Sequence, residues 1–338
     1  PSPPVGAKTI AVSAHEPIVM KIFALRSTHF SPSPPVTFWA RVASAAAPVG
    51  DVRRSLTPQL VADNETLLIL IDLGTGRNRM GGSILAQVTQ QIGNDVPDLD
   101  QPSKLAAFVD AVRHLQREGY VLAYHDRSDG GLFATLAEMS FAGHVGISVN
   151  VDVLAVDPVA HDSGDVKIRS EQVAVRRHEL ILKALFTEEL GAVLQVRERD
   201  KSHVMNALRA ANLGSVSQII GKPNSTDVVE FWCDARPVFS KPRGELQKVW
   251  GETSWRIARL RDNPDCSDQE YARAADAGDL GLSMSLNFAP AEDIAAPFLA
   301  TGNRPRIAVL REQGVNSQTE MAYAFDRAGF AAVDVHMT

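Results

Sequence analysis

The sequence predicts an α/β protein: a mixed sheet with covering helices (the α+β arrangement), followed by a separate βαβ unit. Three observations carry this. Apolar runs of strand length at 67–73, 120–124 and 192–196 alternate with stretches whose apolar residues recur at helical spacing. These strands are short and variously spaced, which favours a mixed sheet over a uniform parallel wind. From Arg304 onward the pattern is strand 307–310, loop 311–317, helix 320–328 and strand 332–336, one βαβ unit of a doubly wound fold, too small to close a core alone.

The chain has 338 residues, enough for about two domains. With 45% hydrophobic and 22% charged residues it has the composition of a globular protein. A formal charge of −6 gives no reason to expect nucleic acid or a membrane surface as a partner. Two cysteines, Cys233 and Cys266, cannot build a disulfide framework, so a reducing, cytoplasmic compartment is the simplest fit. There is no signal peptide pattern at the start. The first residue is not Met, which reads as a fragment of a longer chain.

Taken in order, residues 1–35 are rich in Pro and Ser and read as a tail or linker with one short apolar element at 17–23. The folded body is expected over 36–240, opening with a strand at 36–42. The run 67–73 is an interior strand that enters a glycine-rich loop and then a helix over 84–92. Ser103 is placed to cap a helix through Leu105, Phe108, Val112 and Leu115, which Gly119 ends. After strand 120–124 come a helix over 132–139, a turn at 143–146 and a strand at 147–151. Residues 152–172 are polar and read as an inserted surface loop. A helix follows through Leu180 and Phe186, then strand 192–196, then a helix capped by Asp200, then strands at 216–221 and 228–232. Residues 242–263 form one longer helix whose tryptophans are expected to pack on a neighbouring domain. Residues 264–303 read as a connecting segment.

Two strand–glycine loop–helix junctions stand out. The first is Gly74-Thr75-Gly76-Arg77-Asn78-Arg79-Met80-Gly81-Gly82-Ser83. It matches neither the dinucleotide fingerprint nor the P-loop, so it is either a turn with Ser83 at the helix start or an anion contact through Gly81, Gly82 and Ser83. The second is His125-Asp126-Arg127-Ser128-Asp129-Gly130-Gly131. Carboxylates and glycines before a helix start suit a metal-phosphate ligand. A capped helix, with Ser128 or Asp129 as N-cap, fits the same residues.

Three motifs in sequence order decide between these. They are His125-Asp126-Arg127-Ser128-Asp129-Gly130-Gly131-Leu132 with Ala137-Glu138-Met139-Ser140-Phe141-Ala142-Gly143-His144; Arg259-Leu260-Arg261-Asp262-Asn263-Pro264-Asp265-Cys266; and Ile307-Ala308-Val309-Leu310-Arg311-Glu312-Gln313-Gly314-Val315-Asn316-Ser317. Together they resemble the large single-chain phosphoribosylformylglycinamidine synthase (formylglycinamide ribonucleotide amidotransferase) family, from about residue 36 to 338. The resemblance implies a second synthase half like the C-terminal domain of aminoimidazole ribonucleotide synthetase over 36–240, a helix and connecting segment over 241–303, and the start of a class I glutaminase domain over 304–338.

That family is a ligase of purine biosynthesis. Glutamine supplies ammonia, ATP activates the formyl amide oxygen of formylglycinamide ribonucleotide, and ammonia then displaces phosphate. The resemblance assigns Asp126 to Mg²⁺ and Ser128 to a bound ATP or ADP, with Gly130 and Gly131 allowing close approach and Gly81, Gly82 and Ser83 as a second contact. It implies the small-molecule substrates and the remaining domains of a parent chain as partners. The glutaminase nucleophile belongs in a Gly-x-Cys-x-Gly elbow with a later His-x-Glu, and neither pattern occurs here. Neither cysteine is therefore assigned a nucleophilic role, and no catalytic residue is expected in this chain. Two other readings fit the same residues: a non-catalytic Mg-nucleotide module, and an assembly protein that has lost the chemistry.

Overall fold

The structure is a computed structural model. It describes residues 10–12, 18–27, 38–46, 51–154, 170–279, 281–282 and 284–337, with side chains from residue 51 onward except 170–176. The chain forms two compact units, Pro1–Gly278 and Asp279–Thr338.

In the first unit, β1 (Ile10–Val12), β2 (Ile18–Ser27) and β3 (Phe38–Ala46) make an antiparallel sheet in that order. Two of these strands lie in the stretch expected to be a tail. The prolines that gave it that character all fall outside the strands, as a ladder requires.

The main body follows: β4 (Thr66–Asp72), α1 (Ile84–Val88), α2 (Pro102–Arg117), β5 (Val121–Asp126), α3 (Gly131–Gly143), β6 (Gly146–Asn150), α4 (Ser170–Phe186), β7 (Gly191–Arg197), α5 (Lys201–Ala210), β8 (Ser217–Asn224), β9 (Val228–Cys233), β10 (Arg236–Pro242), α6 (Arg243–Arg261) and α7 (Pro264–Arg273). Its sheet has seven strands in the order β10-β9-β6-β8-β4-β7-β5, with β6 and β9 parallel and the other neighbours antiparallel. The sheet is mixed, as the strand spacing predicted.

Helices cover both faces, so the central strands are apolar on both sides. On β4, Leu68 and Leu70 enter one core with Leu132, Leu136 and Met139 of α3 and Ile181 and Leu185 of α4. Ile69 and Ile71 enter the opposite core with Phe108, Val112 and Leu115 of α2 and Val204 and Leu208 of α5. A continuous apolar run is what a strand covered on both faces needs. Each fully buried Leu or Ile contributes roughly 2 kcal/mol.

Several local expectations change. Helix α1 stops at Val88, because Gln90 takes a left-handed φ of 57°. Helix α2 starts at Pro102 with Gln101 at the N-cap, so Ser103 lies inside the first turn, where Pro is favoured at the first helical position. Asp200 occupies the N-cap position of α5 without a side-chain bond. The connecting segment contains α7, against which Trp255 stacks through Tyr271 at 4.4 Å. Trp250 packs on Phe141 and donates to Glu138 at 3.2 Å, so both tryptophans find partners within their own unit. Of the expected insertion, 155–169 lies outside the described residues, 152–154 is a short 3-10 turn and 170–172 begins α4.

The second unit holds α8 (Ala296–Leu299), β11 (Arg306–Arg311), α9 (Gln318–Arg327) and β12 (Ala331–His336). Strands β11 and β12 pair in parallel, which makes the expected βαβ unit. Among the described residues no helix is long and apolar enough to cross a membrane.

Candidate functional site

The sheet topology brings the two glycine loops to one place. Strands β4 and β5 both pair antiparallel with β7, one on each side, so their C-terminal ends lie beside its start: Asp72 opposite Gly191, and Asp126 opposite Ala192. The connector 187–190, between α4 and β7, enters between the two loops. A Cβ on Gly191 would stand 2.5 Å from the Ile71 carbonyl oxygen, so only glycine lets the connector come this close.

Two buried arginines bind the connector to the loops. Arg127 donates its backbone N–H to the Gly191 carbonyl at 2.8 Å and its Nε to the Glu189 carbonyl at 2.6 Å. Its Nη2 reaches Asp72 Oδ1 at 2.5 Å and the Leu190 carbonyl at 3.1 Å. Asp72 in turn accepts from Gly74 and Gly76 N–H, at 3.1 and 2.7 Å, which fixes the first loop. Arg79 donates Nε and Nη2 to the two carboxylate oxygens of Glu189, at 2.5 and 2.8 Å, and Nη2 also to Asp100 at 3.0 Å. The bond from Glu189 holds the Arg79 guanidinium above its ordinary pKa. Thr187 Oγ donates to the Arg79 carbonyl at 2.9 Å. These fork-shaped, charge-assisted bonds are rigid by geometry.

Between the loops lies Glu188. Its Oε1 accepts from Ile84 N at 2.8 Å and from Gly130 N at 2.9 Å, one donor from each junction.

The second loop differs from both sequence readings of its helix start. The N-cap of α3 is Gly130, at φ 82°, and neither Ser128 nor Asp129 caps it. Ser128 and Asp129 are exposed. The Asp126 side chain is 66% exposed, and its ion pair among the described residues is a 3.8 Å approach to His125 Nδ1. His125 is itself held through Nε2 by Glu138 at 2.8 Å. Burial pushes the neighbouring Tyr124 hydroxyl up to about 12, with the Asp126 charge adding to it. The glycines have packing duties as well. A Cβ on Gly131 would stand 2.7 Å from the Phe186 carbonyl carbon and the Thr187 oxygen, at a φ of 69°.

In the first loop the amides are already bonded: Gly81 N to Asp95 O at 2.7 Å, Gly82 N to Ile92 O at 2.8 Å and Ser83 N to Met80 O at 3.2 Å. Ser83 caps α1 as expected, its Oγ accepting from Ala86 N at 3.2 Å.

Comparison with known proteins gives two domain matches. Residues 67–233 match the family described as AIR synthase related protein, C-terminal domain. Residues 304–338 match the CobB/CobQ-like glutamine amidotransferase domain. The two occur in the order the sequence resemblance implies. Among solved structures, similarity is found to Thermotoga maritima PurL complexed with ATP (12% identity over 61% of this chain and 28% of that one, TM-score 0.40). It is also found to T. maritima PurL complexed with FGAR (14%, 61% and 31%, 0.43) and to Escherichia coli HypE, a hydrogenase maturation protein (18%, 62% and 59%, 0.43). The chain thus spans about three tenths of the PurL chains.

The first unit also carries the one grouping with metal-ligand geometry among the described residues, Asp152, Cys233 and Asp234. Arg177 already binds both acids there, at 2.5 and 3.0 Å. Burial, followed by the bond to Asp152, pushes the Cys233 thiol up to about 11.

Sequence reasoning singled out Asp126 and Ser128 and gave no role to Arg79, Glu188 and Glu189, which the structure brings to the same place. The available signal was an acidic pair just before a strand that is buried from Gly191 to Val196.

Proposed function

We propose that this chain is part of an ATP- and glutamine-dependent C–N ligase that converts formylglycinamide ribonucleotide to formylglycinamidine ribonucleotide, and that its 126–131 loop holds a Mg²⁺-nucleotide. The observation that carries the reading is the order of domains, an AIR synthase-related domain followed by a glutamine amidotransferase domain. One half uses ATP to make a phosphate leaving group on the amide oxygen, and the other supplies the ammonia that displaces it.

The residues at the loop fit a metal. Mg²⁺ takes one or two carboxylates and completes its shell with water and phosphate oxygens. Asp126 offers a carboxylate exposed at the end of β5, and the Ser128 hydroxyl beside it can donate to a phosphate oxygen. When bound, the ion would neutralise phosphate charge. The chain's own part is to hold Asp126 and Ser128 in place through Arg127, whose buried side chain anchors the residue between them.

Calorimetry with MgADP tests the site. Asp126→Asn should weaken binding at least tenfold, since it removes the charge that holds the metal. Equal heats for wild type and variant would remove Asp126 from the site. For the ligase reading, the complete protein should release ADP from ATP only when formylglycinamide ribonucleotide and an ammonia source are both present.

A further inference from the structure

The Glu188 carboxylate sits where a bound anion would sit. One of its oxygens takes two backbone N–H groups, those of Ile84 and Gly130, at 2.8 and 2.9 Å. The donors come from two different junctions, so no local turn accounts for the pairing. The backbone carrying Glu188 is fixed on both sides: Thr187 and Glu189 are buried and bonded to Arg79. The Glu188 side chain is only half-buried, so part of it faces solvent.

The amides of Gly81, Gly82, Ser83 and Gly131 are already committed to backbone carbonyls, those of Asp95, Ile92, Met80 and Ser128. A phosphate oxygen that approaches the start of α3 through Gly130 N–H must therefore take that donor from Glu188. Two anions cannot occupy one pair of donors without strong repulsion.

We propose that Glu188 is an internal competitor: its carboxylate holds the Gly130 and Ile84 amides until a phosphate group displaces it. The consequence is a threshold. A singly charged carboxylate ligand gains no more from these amides than Glu188 already does, whereas a phosphate brings more charge and further acceptor oxygens. This inference rests on the reading of 126–131 as a phosphate-binding loop.

The test follows the Gly130 and Ile84 amides by NMR while inorganic phosphate is titrated, without metal, into the wild-type chain, Glu188→Gln and Glu188→Ala. Glu188→Gln keeps an oxygen acceptor and so guards against misfolding, while Glu188→Ala empties the position. The amides should respond to about tenfold less phosphate in both variants than in wild type, the scale of losing one charged acceptor. Equal midpoints in all three, or no response in any, overturns the proposal. MgADP calorimetry on the same proteins and on Asp126→Asn reads the nucleotide site separately. If Asp126→Asn weakens MgADP binding and the phosphate midpoints do not differ, the nucleotide reading stands and the competitor falls. If the midpoints separate and no protein binds MgADP, the competitor stands and the nucleotide reading falls.

Discussion

The two glycine loops are built from the same parts: a buried strand ending in Asp, a glycine-bearing loop and a helix, leaving one edge of the sheet on either side of β7. They differ in what happens to the acid. Asp72 is enclosed, accepting from two amides of its own loop and from the Arg127 guanidinium. Asp126 stands at the same position on the other strand with its carboxylate mostly in solvent. The first loop therefore spends its polar groups on holding shape. The second borrows that rigidity, through Arg127 and the 187–190 connector, and keeps Asp126 and Ser128 available. A site needs both kinds: exposed groups to bind with, and enclosed ones to fix them.

The sharpest way to break this comparison is to cut the link between the loops. Arg127→Met keeps an unbranched apolar stem and removes the guanidinium. It leaves Asp72 without its charge partner and the Glu189 carbonyl without a donor, while the Leu190 carbonyl keeps the Leu73 N–H at 2.9 Å. Stability should fall by about 4 kcal/mol, as for other buried pairs broken on one side. Chemical denaturation measures this. A loss under about 1 kcal/mol would mean that the first loop is held by its own amides alone and lends the second nothing.

The glycines separate the loops at a smaller scale. At Gly131 an added methyl would meet the backbone of Phe186 and Thr187 and would also sit at positive φ, so Gly131→Ala should cost about 3 kcal/mol. At Gly82 the φ is 74° but nothing lies within 4 Å, so Gly82→Ala carries the conformational strain alone, about 1 kcal/mol. The contrast distinguishes a glycine required by close packing from one required only by a turn. Equal losses for the two would show that α4 can retreat from Gly131.

How much of this was legible follows from range. The apolar run at 67–73 announces β4 because a strand covered on both faces cannot hide its composition. Asp126 and Ser128 could be proposed from the sequence because the motif is contiguous. Glu189 and Arg79 meet across 110 residues, and Glu188 reaches Ile84 across 104, so no local spacing reveals them. The caps of α2 and α3 were misplaced because a Pro at the first helical position and a left-handed Gly each start a helix without any side-chain bond. The strands at 10–12 and 18–27 were obscured by the prolines around them.

The smallest expected effect on the fold is at the residue that matters most to the proposed site. Among the described residues Asp126 makes no short ion pair, so Asp126→Asn should change stability by no more than about 0.5 kcal/mol. Asp72→Asn, the matched change in the other loop, replaces an acid that holds a buried arginine and should cost about 2 kcal/mol. Denaturation of the two variants side by side tests whether one acid is scaffold and the other is site. If Asp126→Asn is as damaging as Asp72→Asn, Asp126 belongs to the framework, and its loss of MgADP binding would no longer identify a ligand. If only Asp72→Asn unfolds early, weaker nucleotide binding in Asp126→Asn can be attributed to the carboxylate itself.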